Sequence, residues 1–205
     1  MQTRILPAES DEAIDSAVRI LQAGGLVAFP TDTVYGVGAL AFNGPAVESI
    51  YIAKDRPNEK AITVLLANKT ELEKVAFAVP EIARRLAVRF WPGPLTLVLP
   101  KQPTLPESVS ATATVAVRVP DHTVARDLLR AAGPMAVTSA NISGQPNTTT
   151  AQDVFAQMKD RVPLILDGGK TPGGLPSTIV DCTQNELVIV RAGPLSAEEI
   201  ESALR

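Results

Sequence analysis

The sequence predicts one α/β domain built on a largely central twisted sheet, and three observations carry that expectation. Helical and strand patterns interleave from end to end; no linker, repeat or low-complexity segment divides the chain; and polar loops recur at strand ends. At 205 residues, 45% of them apolar, the chain has the length of one large domain with a well-filled core. Two small domains would also fit that length, but nothing marks a boundary between them.

Each element follows from local chemistry. Ser10 is placed to cap a helix over 11–23, whose face carries Ile14, Ala17, Val18 and Leu21, and Gly24-Gly25 stops it. Leu26 to Phe29 reads as a short buried strand ended by Pro30, with 31–39 as a small, polar, glycine-spaced loop. A second helix covers 45–54, and Pro57 bars its continuation. Ile62 to Ala67 reads as a strand, and Thr70-Glu71-Leu72-Glu73 as a capping box opening a short helix. A helix over 80–90 leads to the rigid turn Trp91-Pro92-Gly93-Pro94, then to strands at 95–99 and 114–119 around a polar excursion. Alternation places Thr114, Ala116 and Arg118 on one strand face. A helix near 123–131, a strand at 135–137, a helix near 151–159 and strands at 164–167, 177–181 and 187–191 follow, and Ser196 to Glu199 forms a capping box for a last helix.

Composition narrows the chemistry. A net charge of −3 draws the chain to neither nucleic acid nor anionic membrane, so an anion site requires local clustering of Lys and Arg. One cysteine, Cys182, and one histidine, His122, leave no internal disulfide and no Cys/His zinc site. His122 reads as structural or exposed, Cys182 as a packing residue and Trp91 as a core or turn anchor. With aromatics at 4%, a base-stacking sheet face is disfavoured. The N-terminus lacks the apolar stretch of a signal peptide, and no run reaches the ~18 apolar residues of a membrane span. The expected location is the cytoplasm, with no membrane partner.

Four loops, 31–39, 54–60, 138–147 and 168–178, carry hydroxyls, amides and small residues at strand ends, where open α/β sheets bind ligands. The most telling is Lys54-Asp55-Arg56-Pro57-Asn58-Glu59-Lys60, with three cations just past a helix end. It reads either as a solvated charge run or as an anion clamp in which Asp55 and Glu59 orient and space the cations. With Arg118 and Arg191, these cations would give a concave surface suited to phosphates or carboxylates through charge-assisted hydrogen bonds. Glycine-rich 168–174 lacks the spacing of a Walker loop.

Six motifs in order, Phe29 to Gly38 (FPTDTVYGVG), Lys54 with Arg56 and Lys60, Trp91 to Thr96 (WPGPLT), Val115 to Pro120 (VAVRVP), Ser139-Ala140-Asn141, and Pro176 to Asp181 (PSTIVD), resemble the YrdC family over residues 12–200. The resemblance implies a single YrdC-like domain over 1–205: a twisted mixed open sheet flanked by helices, with a concave basic cavity. It also implies synthesis of threonylcarbamoyl-AMP and pyrophosphate from L-threonine, bicarbonate or CO2 and ATP with Mg²⁺. That step leads to threonylcarbamoyladenosine in tRNA, with a tRNA threonylcarbamoyl transferase downstream.

Carried onto this chain, the resemblance puts threonine at Thr31, Arg118, Ser177 and the backbone near Val137. It puts ATP at Lys54, Arg56, Asn58, Lys60, Thr114, Ser139, Asn141, Asn147 and Arg191, with Lys54, Arg56 and Lys60 as the electrostatic catalysts. Metal ligands are expected to be phosphate oxygens and water. Leu65 stands where some relatives have histidine, and Asn147 where some have serine, which bears on amino-acid selectivity. Two other readings stay open: a module binding double-stranded RNA or tRNA without chemistry, and a paralogue with a different carbamoyl or nucleotide substrate.

Overall fold

Short apolar segments from distant parts of the chain, 36–40, 63–65 and 135–139, lie side by side in the middle of the sheet, where their apolar side chains are covered on both faces. The computed structural model describes residues 2–57, 60–172, 174–184 and 187–204. Its strands are β1 (Arg4–Pro7), β2 (Val27–Phe29), β3 (Gly36–Leu40), β4 (Thr63–Leu65), β5 (Leu95–Pro100), β6 (Thr114–Arg118), β7 (Met135–Ser139), β8 (Leu164–Asp167), β9 (Thr178–Asp181) and β10 (Val188–Arg191). They form one mixed sheet in the order β1-β8-β2-β3-β7-β4-β6-β5-β9-β10. Helices α1 (Ala13–Gln22), α2 (Gly44–Lys54), α3 (Glu81–Phe90), α4 (Thr123–Ala132), α5 (Ala151–Met158) and α6 (Ala197–Ser202) flank it. The expected mixed α/β architecture is therefore present.

The two faces are covered unequally, and this creates the site. On one face, Val37, Val64, Leu97 and Val117 pack under α2, α3, α5 and α6, represented by Ile50, Leu86, Val154 and Ile200. On the other, α1 and α4 place Ala17, Leu21, Ala125 and Leu128 over Val27, Phe29, Leu65 and Leu164. Strand alternation turns Thr96, Val98, Ala116 and Arg118 toward that second face, where they line an open cavity beyond the two helices.

Several local expectations change. The segment 36–40 is a strand, not part of a loop: β3 pairs antiparallel with both β2 and β7. A Cβ on Gly38 would lie 2.7 Å from the Ala136 carbonyl oxygen, so its glycine serves close strand approach. Strand β1 has no counterpart in the sequence reading; it joins the sheet edge beside β8. Ser10 does not cap α1, which begins after Glu12; its hydroxyl donates to the Pro7 carbonyl at 2.8 Å. The segment 69–74 is a 3₁₀ turn capped by the Asn68 side chain rather than a helix opened by Thr70. Capping boxes do hold α5, through Thr150 and Asp153, and α6, through Ser196 and Glu199.

Candidate functional site

Helix α2 ends before Pro57 is reached. Asp55 adopts a left-handed conformation (φ 50°) that breaks the helix after Lys54. Asp55 then pairs at 2.8 Å with Arg161, across the chain from the neighbouring cations. It ties the helix end to the turn before β8 and does not space the cations. Asn58 and Glu59 lie outside the described residues.

A cavity of about 470 Å³ opens over the uncovered sheet face, lined by Arg56, Lys60, Arg118 and Arg191 and by no carboxylate among the described residues. Register orders its floor. Thr63 pairs with Val137, and one step along the same face Leu65 pairs with Arg118. Arg56, Lys60, Ser139 and Asn147 gather toward the start of β4, and Arg118, Thr96, Ser177 and Arg191 toward the far end of β6.

The far end is a wired polar cluster. Arg118 donates from Nε to the Gly93 carbonyl at 3.0 Å, from Nη1 to the Thr33 hydroxyl at 3.1 Å, and from Nη2 to the Asp32 carboxylate. Both partners of this ion pair are nearly buried, their side chains 7% and 12% exposed. Thr31 donates to the Val34 carbonyl at 2.6 Å and accepts from the Thr33 and Val34 amides, which shapes the loop that brings Asp32 and Thr33 to Arg118. Arg191, expected on the nucleotide, donates to the Ser177 carbonyl at 2.7 and 3.1 Å and to its hydroxyl at 3.2 Å. Ser177 in turn shares a 2.7 Å hydrogen bond with Thr96. Arg191 thus belongs to the Ser177 cluster. Burial first, and then the nearby Arg118 charge, lower its pKa from the usual guanidinium range.

The other end is organised by Lys54. Its side chain is 1% exposed and outside the cavity lining, and its ammonium donates to the carbonyls of Ser139 and Asn141. Burial, with the Arg56 charge adding, brings the Lys54 pKa down to about 7. Lys54 therefore acts on the loop from behind, while Arg56 and Lys60 face the cavity. Arg56 folds over its own loop, donating to the Ala61 carbonyl at 3.0 Å. Asn141 is 5% exposed; its amide nitrogen donates to the Ile142 and Gln145 carbonyls, and its Oδ1 is buried with no hydrogen-bond partner. Thr114 is not among the cavity-lining residues; its hydroxyl sits in a ladder with Thr112 and Ser110 at 3.0 Å per step. Val137 lines the floor from the central strand β7.

Sequence reasoning passed over Asp32, Thr33, Tyr35 and Thr96 as individual residues. Their signal was Thr-Asp-Thr straight after a strand-ending proline, and a threonine inside the apolar run of β5. Cys182 is buried, its thiol pushed up to about 12 by burial and Asp181, which suits the packing role expected of it. Trp91 is an anchor as read, donating from its indole to the Leu95 carbonyl at 2.7 Å.

Ser177 also depends on a glycine. A Cβ at Gly193 would lie 2.4 Å from the Thr178 amide nitrogen and 2.6 Å from the Pro176 carbonyl oxygen, both backbone atoms that cannot turn aside. Gly193→Ala is expected to cost about 1–3 kcal/mol, lowering the melting temperature by roughly 2–4 °C per kcal/mol. Calorimetric melting checks this, and an unchanged midpoint would show that the segment yields without cost.

A family model described as telomere recombination, Sua5/YciO/YrdC, matches residues 19–193. The chain is 42% identical over 198 residues to a threonylcarbamoyl-AMP synthase of Bacillus subtilis, covering 95% of this chain and 57% of that protein. It is 42% identical to a putative threonylcarbamoyl-AMP synthase of Mycobacterium tuberculosis, covering 97% of this chain and 92% of that one. A crystal structure of Pyrococcus abyssi Sua5 complexed with L-threonine superposes with a TM-score of 0.96 at 42% identity, over 98% of this chain and 61% of that one. The chain thus spans little more than half of the Bacillus and Pyrococcus proteins. With a family model over most of its length and relatives above 40% identity, the chain belongs to the Sua5/YciO/YrdC family.

Proposed function

We propose that this chain forms threonylcarbamoyl-AMP and pyrophosphate from L-threonine, bicarbonate or CO2 and ATP. The observation that carries the reading is a cavity lined by four cations and no carboxylate among the described residues, with one cationic group at each end. Such a cavity suits a ligand pair with a triphosphate at one end and an amino-acid carboxylate at the other. The threonine bound to the Pyrococcus relative and the name of the mycobacterial one, which this chain nearly matches in length, support the same assignment.

Threonine would lie at the Thr31, Arg118 and Ser177 end, its carboxylate on the outward edge of the Arg118 guanidinium. Leu65, paired in register with Arg118, gives that end an apolar wall. ATP would take the end of Arg56, Lys60, Ser139 and Asn147. The threonine amine adds to CO2 to give a carbamate, and a carbamate oxygen displaces pyrophosphate from the α-phosphorus. Protein groups need only hold the two oxygens in line and neutralise charge, without a covalent intermediate. No cluster of three or more acid, histidine or cysteine side chains suited to a metal occurs among the described residues. Mg²⁺ would therefore arrive on the triphosphate, held by phosphate oxygens and water, and supply charge neutralisation at the leaving group.

The test is substrate omission. Purified protein is expected to release pyrophosphate only when ATP, threonine, bicarbonate and Mg²⁺ are all present, and more slowly with serine. Release without threonine would end the proposal. Equal turnover with serine would end the threonine selectivity alone. An inert protein that binds tRNA with a steep salt dependence would favour the RNA-module reading.

A further inference from the structure

One fully buried residue in the cavity wall has no part in the chemistry above, yet it is bonded to two loops at once, 140–148 through its backbone and 168–169 through its side chain. Tyr35 is 0% exposed and lines the cavity just before β3. Its backbone amide donates to the Thr148 carbonyl at 3.0 Å, and its carbonyl accepts from the Ala140 amide at 2.8 Å. Its phenol donates to the Gly169 carbonyl at 2.8 Å and accepts from the Gly168 amide at 3.3 Å.

The loop it grips is built to be gripped. A Cβ at Gly168 would lie 2.8 Å from Pro30 Cγ, so only glycine seats the backbone this close, and Gly169 holds a φ of +82°. The loop has a second tether, where the Thr171 amide and hydroxyl both donate to the Thr149 carbonyl, at 2.9 and 3.4 Å. Six residues beyond Thr171 stands Ser177, in the cluster with Thr96 and Arg191. Burial first, with Asp167 adding, pushes the phenol up to about 12, so it stays a donor across the working pH range.

We propose that Tyr35 is a positioning residue whose phenol latches residues 168–171 to the cavity wall and so fixes where Ser177 stands at the amino-acid end. The consequence for activity rests on the function proposed above; the latch itself does not. Tyr35→Phe keeps the ring and removes only the two phenol hydrogen bonds. It is expected to raise the threonine KM by roughly tenfold, about the worth of one hydrogen bond, with the ATP KM and kcat near wild type. Amide hydrogen exchange at 168–171 should speed up, while β2, β3 and β7 stay protected. Thr171→Val, which loosens the second tether, should give the same selective pattern.

Wild-type exchange at 168–171 in Tyr35→Phe would overturn the latch, as would faster exchange throughout the sheet, since that marks a merely structural role. A threonine and an ATP KM that rise together would overturn its link to Ser177. If wild-type protein releases no pyrophosphate at all, the proposed reaction fails, and exchange in the two variants still decides the latch.

Discussion

Replacement of Lys54 by methionine is expected to lower pyrophosphate release by about two orders of magnitude or more while the protein stays folded. Methionine matches the length of the lysine stem, whereas alanine would also leave a cavity at a position that is 1% exposed. What methionine removes is the amine that holds the Ser139 and Asn141 carbonyls and, while protonated, places a positive charge behind the end proposed for ATP. Those carbonyls shape a loop whose Ser139 lines the cavity, so loss of the charge and loss of the loop's geometry act together.

The same residue gives a pH signature with a fixed sign. A lysine with a pKa of about 7 in the fold and an ordinary one near 10.4 when unfolded is protonated in both states below about pH 7, where the cost of burying its charge is carried in full. Between those values the unfolded chain holds the proton and the folded chain does not, so stability rises with pH. The melting temperature of the wild type, measured against Lys54→Met without ligand, should therefore be flat below about pH 7 and climb from there toward pH 10. A pH-independent difference would mean that Lys54 keeps its charge in the fold. Activity near the wild-type level in Lys54→Met would remove Lys54 from the nucleotide end altogether.

Lys54 also shows what a sequence conveys and what it withholds. The last helix announced itself through the Ser196 to Glu199 capping box, because that signal is local, whereas the box that holds α5 went unread. The strands β4, β6 and β7 were legible as short apolar runs, and the polar loop 138–147 after β7 as part of a candidate ligand site. But a lysine in a charged heptapeptide reads as solvated, and nothing within that segment says that two carbonyls 85 and 87 residues away will enclose it. Asp55 was assigned to its sequence neighbours for the same reason, while its partner is Arg161. Strand β3 was read as a loop because its glycines encode close backbone approach to β7, a property of the partner strand as much as of its own residues. Arg191 was placed with the nucleotide by the family resemblance alone, and the residues around it gave no sign of Ser177. Its bonds to Ser177 depend on β9 and β10 pairing. Which residues line the cavity together, and which hydrogen bonds they share, is thus set by pairings the sequence does not display.

The clearest case is Arg118, where the structure changes the experiment itself. Arg118→Ala alone would leave Asp32, 12% exposed, as a buried charge without its partner. Orphaning one member of such a pair costs about 3–5 kcal/mol, a large share of the roughly 5–15 kcal/mol that holds a domain together. Lost activity in that variant would say little about substrate. The paired exchange Asp32→Asn with Arg118→Gln removes both charges and keeps polar side chains facing each other, and replacing both members of a buried ion pair is often near neutral. The double variant is therefore expected to melt close to wild type, with a threonine KM raised about 10- to 100-fold, the worth of a charge-assisted hydrogen bond of ~1.5–3 kcal/mol, and an ATP KM little changed. Steady-state kinetics on each substrate, beside melting curves of the single and double variants, separates the two effects. If the ATP KM rises instead, the guanidinium serves the nucleotide. The two ends of the cavity would then exchange roles, with Arg118 and Arg191 gripping phosphate and the carboxylate moving to Arg56 and Lys60.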